Sequence, residues 1–356
     1  MTKLLDRKLA PIPIVDVRDG GTLRHATEGR ARARALRDEC VRWLPRVAAR
    51  LLPAIDWVTR CWLLRSHSLY ADEVKAIANK LDFSGIWFLN GCYQWGCTAR
   101  ACERTGAPWL VRTLDWPFPG LGRRVEVAWM RGAAGEFYNV TWPGYVGVLT
   151  ASAPGRFAAS INQAPMWRRT RSPWLRPCDM ALNALYAWQI RSIPPDHLLR
   201  DVFETCATFS EAKHRLEVTP IARPVIFTLV GCNEGEKVVI ERTEHGYRTL
   251  DKNTCAANDW LLRRPSWEAR VGADALFTFS SDEAAENSRR RSDYLAAWPN
   301  AFVGDFAWVS PPVLNSQTRV AVEMCPANGL LRAIGYERSD DAELPEPATE
   351  ICQLAA

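Results

Sequence analysis

Asn90-Gly91-Cys92-Tyr93-Gln94-Trp95-Gly96-Cys97-Thr98-Ala99 is followed, after a short interval, by Val111-Arg112-Thr113-Leu114-Asp115-Trp116-Pro117-Phe118. The two stretches read as the arms of one hairpin. Cys97 begins the first strand, Arg104-Thr105-Gly106-Ala107 turns, and Trp109 to Leu114 returns. The return strand brings Arg112 and Asp115 back beside Cys97. A nucleophile, a cation and a carboxylate then share one local unit, and the rest of the chain reads as its scaffold and pocket.

On the C-terminal side the chain reads as sheet. Val125–Trp129, Phe137–Thr141, Val146–Leu149 and Phe157–Ile161 are short, rich in β-formers and mostly separated by glycine turns. Helices are predicted over Cys178–Arg191, from Pro194-Pro195-Asp196 to Cys206, and from a Ser210 cap through Leu216. Strands return at Val225–Val230 and Lys237–Arg242, a helix at Asp282–Ala297, and a closing hairpin at Val320–Met324 and Leu331–Tyr336. On the N-terminal side, residues 9–18 read as an extended arm or edge strand, because both prolines suit an edge. Leu36, Cys40, Leu44, Val47 and Leu51 predict a long helix over 27–52, with Pro45 and Pro53 as its breaks or bounds. A shorter helix follows over Ser68–Leu81, ahead of Phe83–Leu89. Strands and helices fall in blocks, without βαβ alternation, which argues an α+β fold of packed layers.

Composition narrows the function classes. At 356 residues, 47% hydrophobic and 24% charged, this is ordinary globular protein. The net charge of +5 is a mildly basic surface, and no basic run interleaves with aromatics as a nucleic-acid groove requires. Arg289-Arg290-Arg291 reads as a solvated helix face. No stretch reaches the ~18 apolar residues of a membrane span, so no stable membrane insertion is expected. Met1 to Lys8 has no apolar core of signal-peptide length, which predicts a cytoplasmic protein whose eleven cysteines are reduced thiols. Cys92, Cys97 and Cys102 recur every five residues, but zinc sites favour tighter pairs, and that spacing alternates strand faces. Neither metal nor cofactor is expected. Sixteen tryptophans is a high count. Trp95, Trp116, Trp142, Trp167 and Trp174 stand near the key stretches and read either as core or as the lining of an apolar pocket.

A cysteine attacks as a thiolate and needs a base or a lowered pKa. His25, His67, His197, His214 and His245 all lie far in sequence from Cys97, which disfavours a Cys/His pair. Asp115 is the carboxylate best placed near the Cys97 nitrogen, and Arg112 is placed to orient it or to bind a substrate carbonyl. The two also make sense as a plain structural ion pair.

Gly96-Cys97-Thr98 with Arg112-Thr113-Leu114-Asp115-Trp116 resembles the N-terminal-nucleophile hydrolases of the acid ceramidase, N-acylethanolamine acid amidase and choloylglycine hydrolase group. Trp142–Thr150, Pro154-Gly155, Ile161-Asn162-Gln163 and Ala257-Asn258-Asp259-Trp260 resemble the acid ceramidase branch. The likeness runs from about residue 85 to about residue 335. It implies an αββα sandwich behind an N-terminal helical segment. It implies autocatalytic cleavage at Gly96–Cys97, which divides the chain into 1–96, released but still bound, and a catalytic domain, 97–356. The freed α-amine, with a pKa of about 7.7–8.0, then serves as the base. By the same resemblance Asn258 supplies an oxyanion donor, helped by a backbone N–H near Tyr145, and Asn162 lies near the nucleophile. Asn258 also makes sense as a turn or cap residue. The chain departs from the pattern at Gln163, where acid ceramidase has Glu. The substrate implied is a small N-acyl amide, fatty-acyl in kind, with Trp116, Trp142 and Tyr145 as its binding residues. The rivals are acyl transfer of the penicillin acyltransferase type and an unprocessed, inactive lipid-binding protein. The oligomeric state is not legible in the sequence.

Overall fold

The computed structural model describes residues 9–355 apart from 94, 171, 271–279, 300, 301, 303 and 340. The proline-flanked arm contains β1 (Ile14–Asp16), an edge strand as its prolines require. The long helix expected over 27–52 is instead divided among α1 (Gly21–Glu28), α2 (Arg30–Trp43) and α3 (Arg46–Arg65). Leu44 is extended, as the residue before a proline prefers, and that ends α2. Pro53, expected as a boundary, lies inside α3. α4 (Ala71–Leu81) and α5 (Ile86–Gly91) complete the N-terminal helices. Asp56 of α3 accepts the N–H groups of Gly85 (2.6 Å) and Phe88 (2.8 Å), so it satisfies orphan donors at the start of α5 and ties the two helices together.

The deciding stretch forms the hairpin β2 (Gly96–Arg104) and β3 (Ala107–Asp115), close to the boundaries read from the sequence. Thr105 and Gly106 both have positive φ, 51° and 78°, the two-residue turn whose twist suits a hairpin. Its register sets Gly96 opposite Asp115, Cys97 opposite Leu114 and Ala99 opposite Arg112.

β4 (Glu126–Gly132), β5 (Gly135–Thr141), β6 (Thr150–Ala153) and β7 (Phe157–Gln163) form an antiparallel meander, with β1 parallel to β4. The strand expected over Val146–Leu149 is a loop. Its donors are taken elsewhere: Val146 N–H goes to Asn90 Oδ1 (2.8 Å) and Val148 N–H to the Asp196 carbonyl (3.0 Å), so pairing begins only at its end, where the Leu149 carbonyl accepts the Ile161 N–H (3.0 Å). Next come β8 (Met166–Trp167), α6 (Arg176–Gln189), α7 (Pro195–Thr205) and α8 (Phe209–Val218). The cap of α8 is Thr208, not Ser210. Thr208 and Glu211 make a reciprocal capping box, which the Thr-x-x-Glu spacing favours.

The chain continues through β9 (Val225–Val230), β10 (Lys237–Arg242), β11 (Tyr247–Leu250), β12 (Cys255–Ala256) and β13 (Trp267–Glu268). It then runs through α9 (Ser281–Ala297), β14 (Thr318–Cys325), β15 (Leu330–Glu337), β16 (Glu346–Pro347) and β17 (Cys352–Leu354). Among the described residues, one sheet has the order β1-β4-β5-β6-β7-β9-β10-β11 and the other β12-β2-β3-β14-β15-β16, with β17 also on β15. Between them lies the main core, where Cys97, Leu110, Leu114 and Val322 meet Val127, Phe157, Phe227 and Ile240. α7 and α8 cover the first sheet and α9 covers β2 and β12 of the second. The result is a four-layer αββα sandwich with α1–α5 as the N-terminal helical segment.

Candidate active site

Strand alternation divides the hairpin's side chains between two environments. Cys97 and Leu114 stand opposite each other, as do Ala99 and Arg112, so all four face the other sheet. Cys97 is fully buried there. Its Sγ lies 2.7 Å from Arg112 Nη2 and 3.5 Å from the Ile161 carbonyl. Arg112 also donates to the Thr150 hydroxyl and, at 3.4 Å, to the Leu149 carbonyl. Burial pushes the Cys97 thiol up to about 11, against the pull of the Arg112 guanidinium. A thiol so placed does not ionise by itself near neutral pH. Cys102 falls in the separate cluster on the α9 side of the sheet, so Cys97 and Cys102 do not converge.

Asp115 faces the other way. Arg112 and Asp115 are three residues apart on one strand, which puts them on opposite faces, and no ion pair joins them. Asp115 instead accepts from the Asn315 amide (2.9 Å) and the Thr318 hydroxyl (3.0 Å), with Arg291 Nη1 at 3.6 Å. The run of three arginines predicts a solvated face for Arg291. It is buried. Along α9 the inward residues are Ala284, Ser288, Arg291 and Leu295, one stripe at helical spacing, while Arg289 and Arg290 point outward. Arg291 Nη1 donates to the Cys97 carbonyl (2.8 Å) and the Thr98 hydroxyl (2.9 Å), and Nη2 to Asn258 Oδ1 (3.1 Å). The signal in the sequence that identifies it is this stripe of Ala284, Ser288, Arg291 and Leu295, which the run of three arginines masks.

Asn258 follows the short strand β12, which pairs with β2. Its Oδ1 accepts the Cys97 main-chain N–H at 2.8 Å, and its Nδ2 donates to the carbonyls of Gln163 (2.9 Å) and Trp95 (3.3 Å). The acceptor at the Cys97 nitrogen, expected to be Asp115, is therefore Asn258 in the continuous chain. Asn162 lies on β7 across the sandwich; its amide donates to the carbonyls of Ala256 (3.0 Å) and Ala257 (3.1 Å). Asn162 Oδ1 and Arg112 Nε are buried and have no hydrogen-bond partner among the described residues.

The aromatic residues separate into groups. Trp95, Trp116 and Trp142 are buried and meet edge to face in sequence, at 6.1 and 5.8 Å between centroids. Trp167 and Trp174 are exposed. Trp142 donates its indole N–H to the Leu121 carbonyl (2.7 Å). Tyr145 gives its hydroxyl to Asp196 (2.7 Å) and its backbone N–H to the Trp142 carbonyl (3.0 Å), so that N–H is already used. Trp116 also lines an apolar cavity of about 60 Å³ with Leu36, Leu44, Phe88, Leu89 and Phe118, between the N-terminal helices and the segment after β3. Among the described residues, none of the hydrogen bonds at Cys97 involves a histidine, no His/Cys/Asp/Glu group could hold a metal ion, and no helix is long and apolar enough to cross a membrane.

No family model matches the chain. It is 28% identical over 185 residues to the N-acylethanolamine-hydrolyzing acid amidase of Oryctolagus cuniculus, covering 50% of this chain and 48% of that one. It is 26% identical over 255 residues to the Caenorhabditis elegans protein of the same name, covering 70% and 66%. Acid ceramidases match as well. The chain is a relative of the N-acylethanolamine acid amidases and the acid ceramidases. The matched stretch spans about half of the first of these relatives and 66% of the second. Among solved structures, the C. elegans N-acylethanolamine-hydrolyzing acid amidase ortholog aligns at TM-score 0.47 and 19% identity, over 65% of this chain and 93% of that one.

Proposed function

We propose that this chain is an amidohydrolase of N-acyl amides that acts through a Cys97 thioester after cutting itself at Gly96–Cys97. The observation that carries the proposal is the pair of contacts at Cys97: Arg112 at 2.7 Å from the thiol and Asn258 Oδ1 at 2.8 Å from the main-chain nitrogen. The nitrogen already sits where a freed α-amine has an acceptor, and the thiol where a thiolate has a cation. With the thiol raised by burial and no histidine bonded to it, the α-amine is the base at hand.

In self-cleavage Cys97 Sγ adds to the Gly96 carbonyl carbon. A C–S bond forms, the Gly96–Cys97 C–N bond breaks, and the thiol proton ends on the Cys97 nitrogen. Water then hydrolyses the thioester, leaving a Gly96 carboxylate and a Cys97 thiol beside its own amine. In turnover the amine takes the thiol proton, the thiolate attacks the amide carbonyl, and the amine product departs with that proton. Water hydrolyses the second thioester. Asn258 Nδ2, relieved of the Trp95 carbonyl once the segment before Cys97 withdraws, is the oxyanion donor. Asp115, steadied by Asn315, Thr318 and Arg291, supplies negative charge near the ammonium.

Intact-mass measurement tests the proposal. Purified wild-type protein is expected as two fragments, 1–96 and 97–356, and Cys97→Ala as one uncut chain. Wild-type protein that hydrolyses an N-acyl amide with the Gly96–Cys97 bond whole would overturn the amine-base mechanism.

A further inference from the structure

We propose that Gln163 is a positioning residue for the cut before Cys97, its side-chain amide holding the preceding segment in register at any pH. The proposal rests on the self-cleavage reading above. Gln163 ends β7 and is buried. Its Nε2 donates to the Tyr93 carbonyl, and its own main-chain carbonyl accepts Asn258 Nδ2 at 2.9 Å. Asn258 also holds the Trp95 carbonyl (3.3 Å) and the Cys97 N–H (2.8 Å). Positions 93, 95 and 97 are thus each gripped by a side-chain amide, and two of the three grips precede the scissile bond. Upstream, the Tyr93 hydroxyl donates to the Pro224 carbonyl and Arg223 to the Gly91 carbonyl (2.9 Å), but next to the cut side chains add nothing: the buried Trp95 indole N–H has no partner among the described residues, and Gly96 has no side chain. Gly96 packs so closely on Asp115 that a Cβ there would lie 3.0 Å from the Asp115 Cβ.

The residue type matters because the partner is a carbonyl. An amide N–H₂ donates to it irrespective of pH. A carboxyl in the same place donates only when protonated; ionised, it sets oxygen against oxygen. Gln163 therefore frees the grip on Tyr93 from any proton requirement. The other titratable and charged groups around the grip are Cys92, Tyr93 and Cys97 on the segment itself, Arg112 and Asp115 on β3, and Arg291 on α9. Arg223 and Arg270 stand over the Tyr93 ring, each 5.4 Å from its centroid, and Glu244 lies beyond them. All are common to wild type and to a Gln163 variant, so a ratio of their rates isolates position 163.

The experiment follows cleavage of freshly translated full-length chain, transferred to buffers between about pH 4.5 and 8, for wild type, Gln163→Glu and Gln163→Leu. The Gln163→Glu to wild-type rate ratio is expected near one at the acid end and to fall by about tenfold per pH unit once the introduced carboxyl ionises. Gln163→Leu is expected to cleave at least about tenfold more slowly than wild type at every pH, with a parallel profile. A Gln163→Glu ratio independent of pH, in a variant that melts like wild type, overturns the proposal and leaves self-cleavage standing. So does a stable Gln163→Leu that cleaves at the wild-type rate. Wild-type chain that never cleaves sinks the self-cleavage reading itself, and this proposal with it. Should Gln163→Glu fail to fold, the Gln163→Leu rate decides.

Discussion

On the inner face of the β2–β3 hairpin, Cys97 and Arg112 meet the Ile161 carbonyl and the Thr150 hydroxyl of the opposite sheet. On the outer face, Thr98 and Asp115 meet Arg291 of α9. One short hairpin therefore supplies two chemically distinct environments: a thiol beside a cation within the sandwich core, and a carboxylate beside a different cation under a helix. Asn258 at the strand edge joins them, since its Oδ1 touches both the Cys97 nitrogen and Arg291. The division teaches that the thiol and the nitrogen of one residue can be tuned by separate parts of the fold, because a strand sends alternate side chains to opposite sides while its N–H groups point along the sheet.

The largest expected effect breaks the join. Asn258→Asp keeps the oxygen that accepts from Cys97 and Arg291 and loses the N–H₂ that reaches Trp95 and Gln163. The new carboxylate oxygen faces the Trp95 and Gln163 carbonyls, so the melting temperature should drop somewhat, while kcat of the folded enzyme falls by ~10²–10³-fold with little change in KM. An active, stable Asn258→Asp enzyme would return Asn258 to the scaffold as a turn residue.

A smaller effect sets the two faces against each other. Arg112 favours the thiolate, so its removal raises the thiol pKa. In Arg112→Met the thiolate formed when the α-amine takes the proton loses its cation, so kcat/KM should fall by ~10–100-fold at every pH, with the acidic limb staying with the amine. Arg291→Met should lower kcat/KM less but unfold more readily, by about 3 kcal/mol, since it removes a cation from the buried Asp115 and strands several acceptors. Equal falls in kcat/KM would show that the faces are not electrically separate. The smallest effect lies outside the site. Thr208→Ala removes the cap of α8 and should cost ~1 kcal/mol in denaturant unfolding without altering kcat; a change in kcat there would mean that the helix layer over the first sheet is coupled to Cys97.

Much of this was legible in the chain. The β2–β3 boundaries, the strands over 225–230 and 237–242 and the helix over 281–297 agree with local pattern closely, because period and turn chemistry act within a few residues. The Val146–Leu149 loop misled because β-rich composition says nothing about where backbone donors find partners, and those partners were Asn90 and Asp196. The pairing of Arg112 with Asp115 was readable as unfavourable from their odd spacing alone. Arg291 was half legible: the helix stripe contains it, but nothing near it in sequence names Cys97 as its target.

What the sequence by itself determined is the hairpin, the residue that opens it, and the kinds of groups that accompany it. Those follow from alternation, from a turn of Thr105 and Gly106, and from the likeness of a few short motifs. What only the tertiary structure decided is which group serves which atom of Cys97. Asn258 takes the nitrogen and Arg112 the thiol, while Arg291 takes the carbonyl and replaces Arg112 beside Asp115. The physical reason is that hydrogen bonds of this kind are directional and short, whereas their partners stand up to 194 residues apart. Their matching is fixed by sheet register and helix phase after the layers have packed, not by any local preference of the chain.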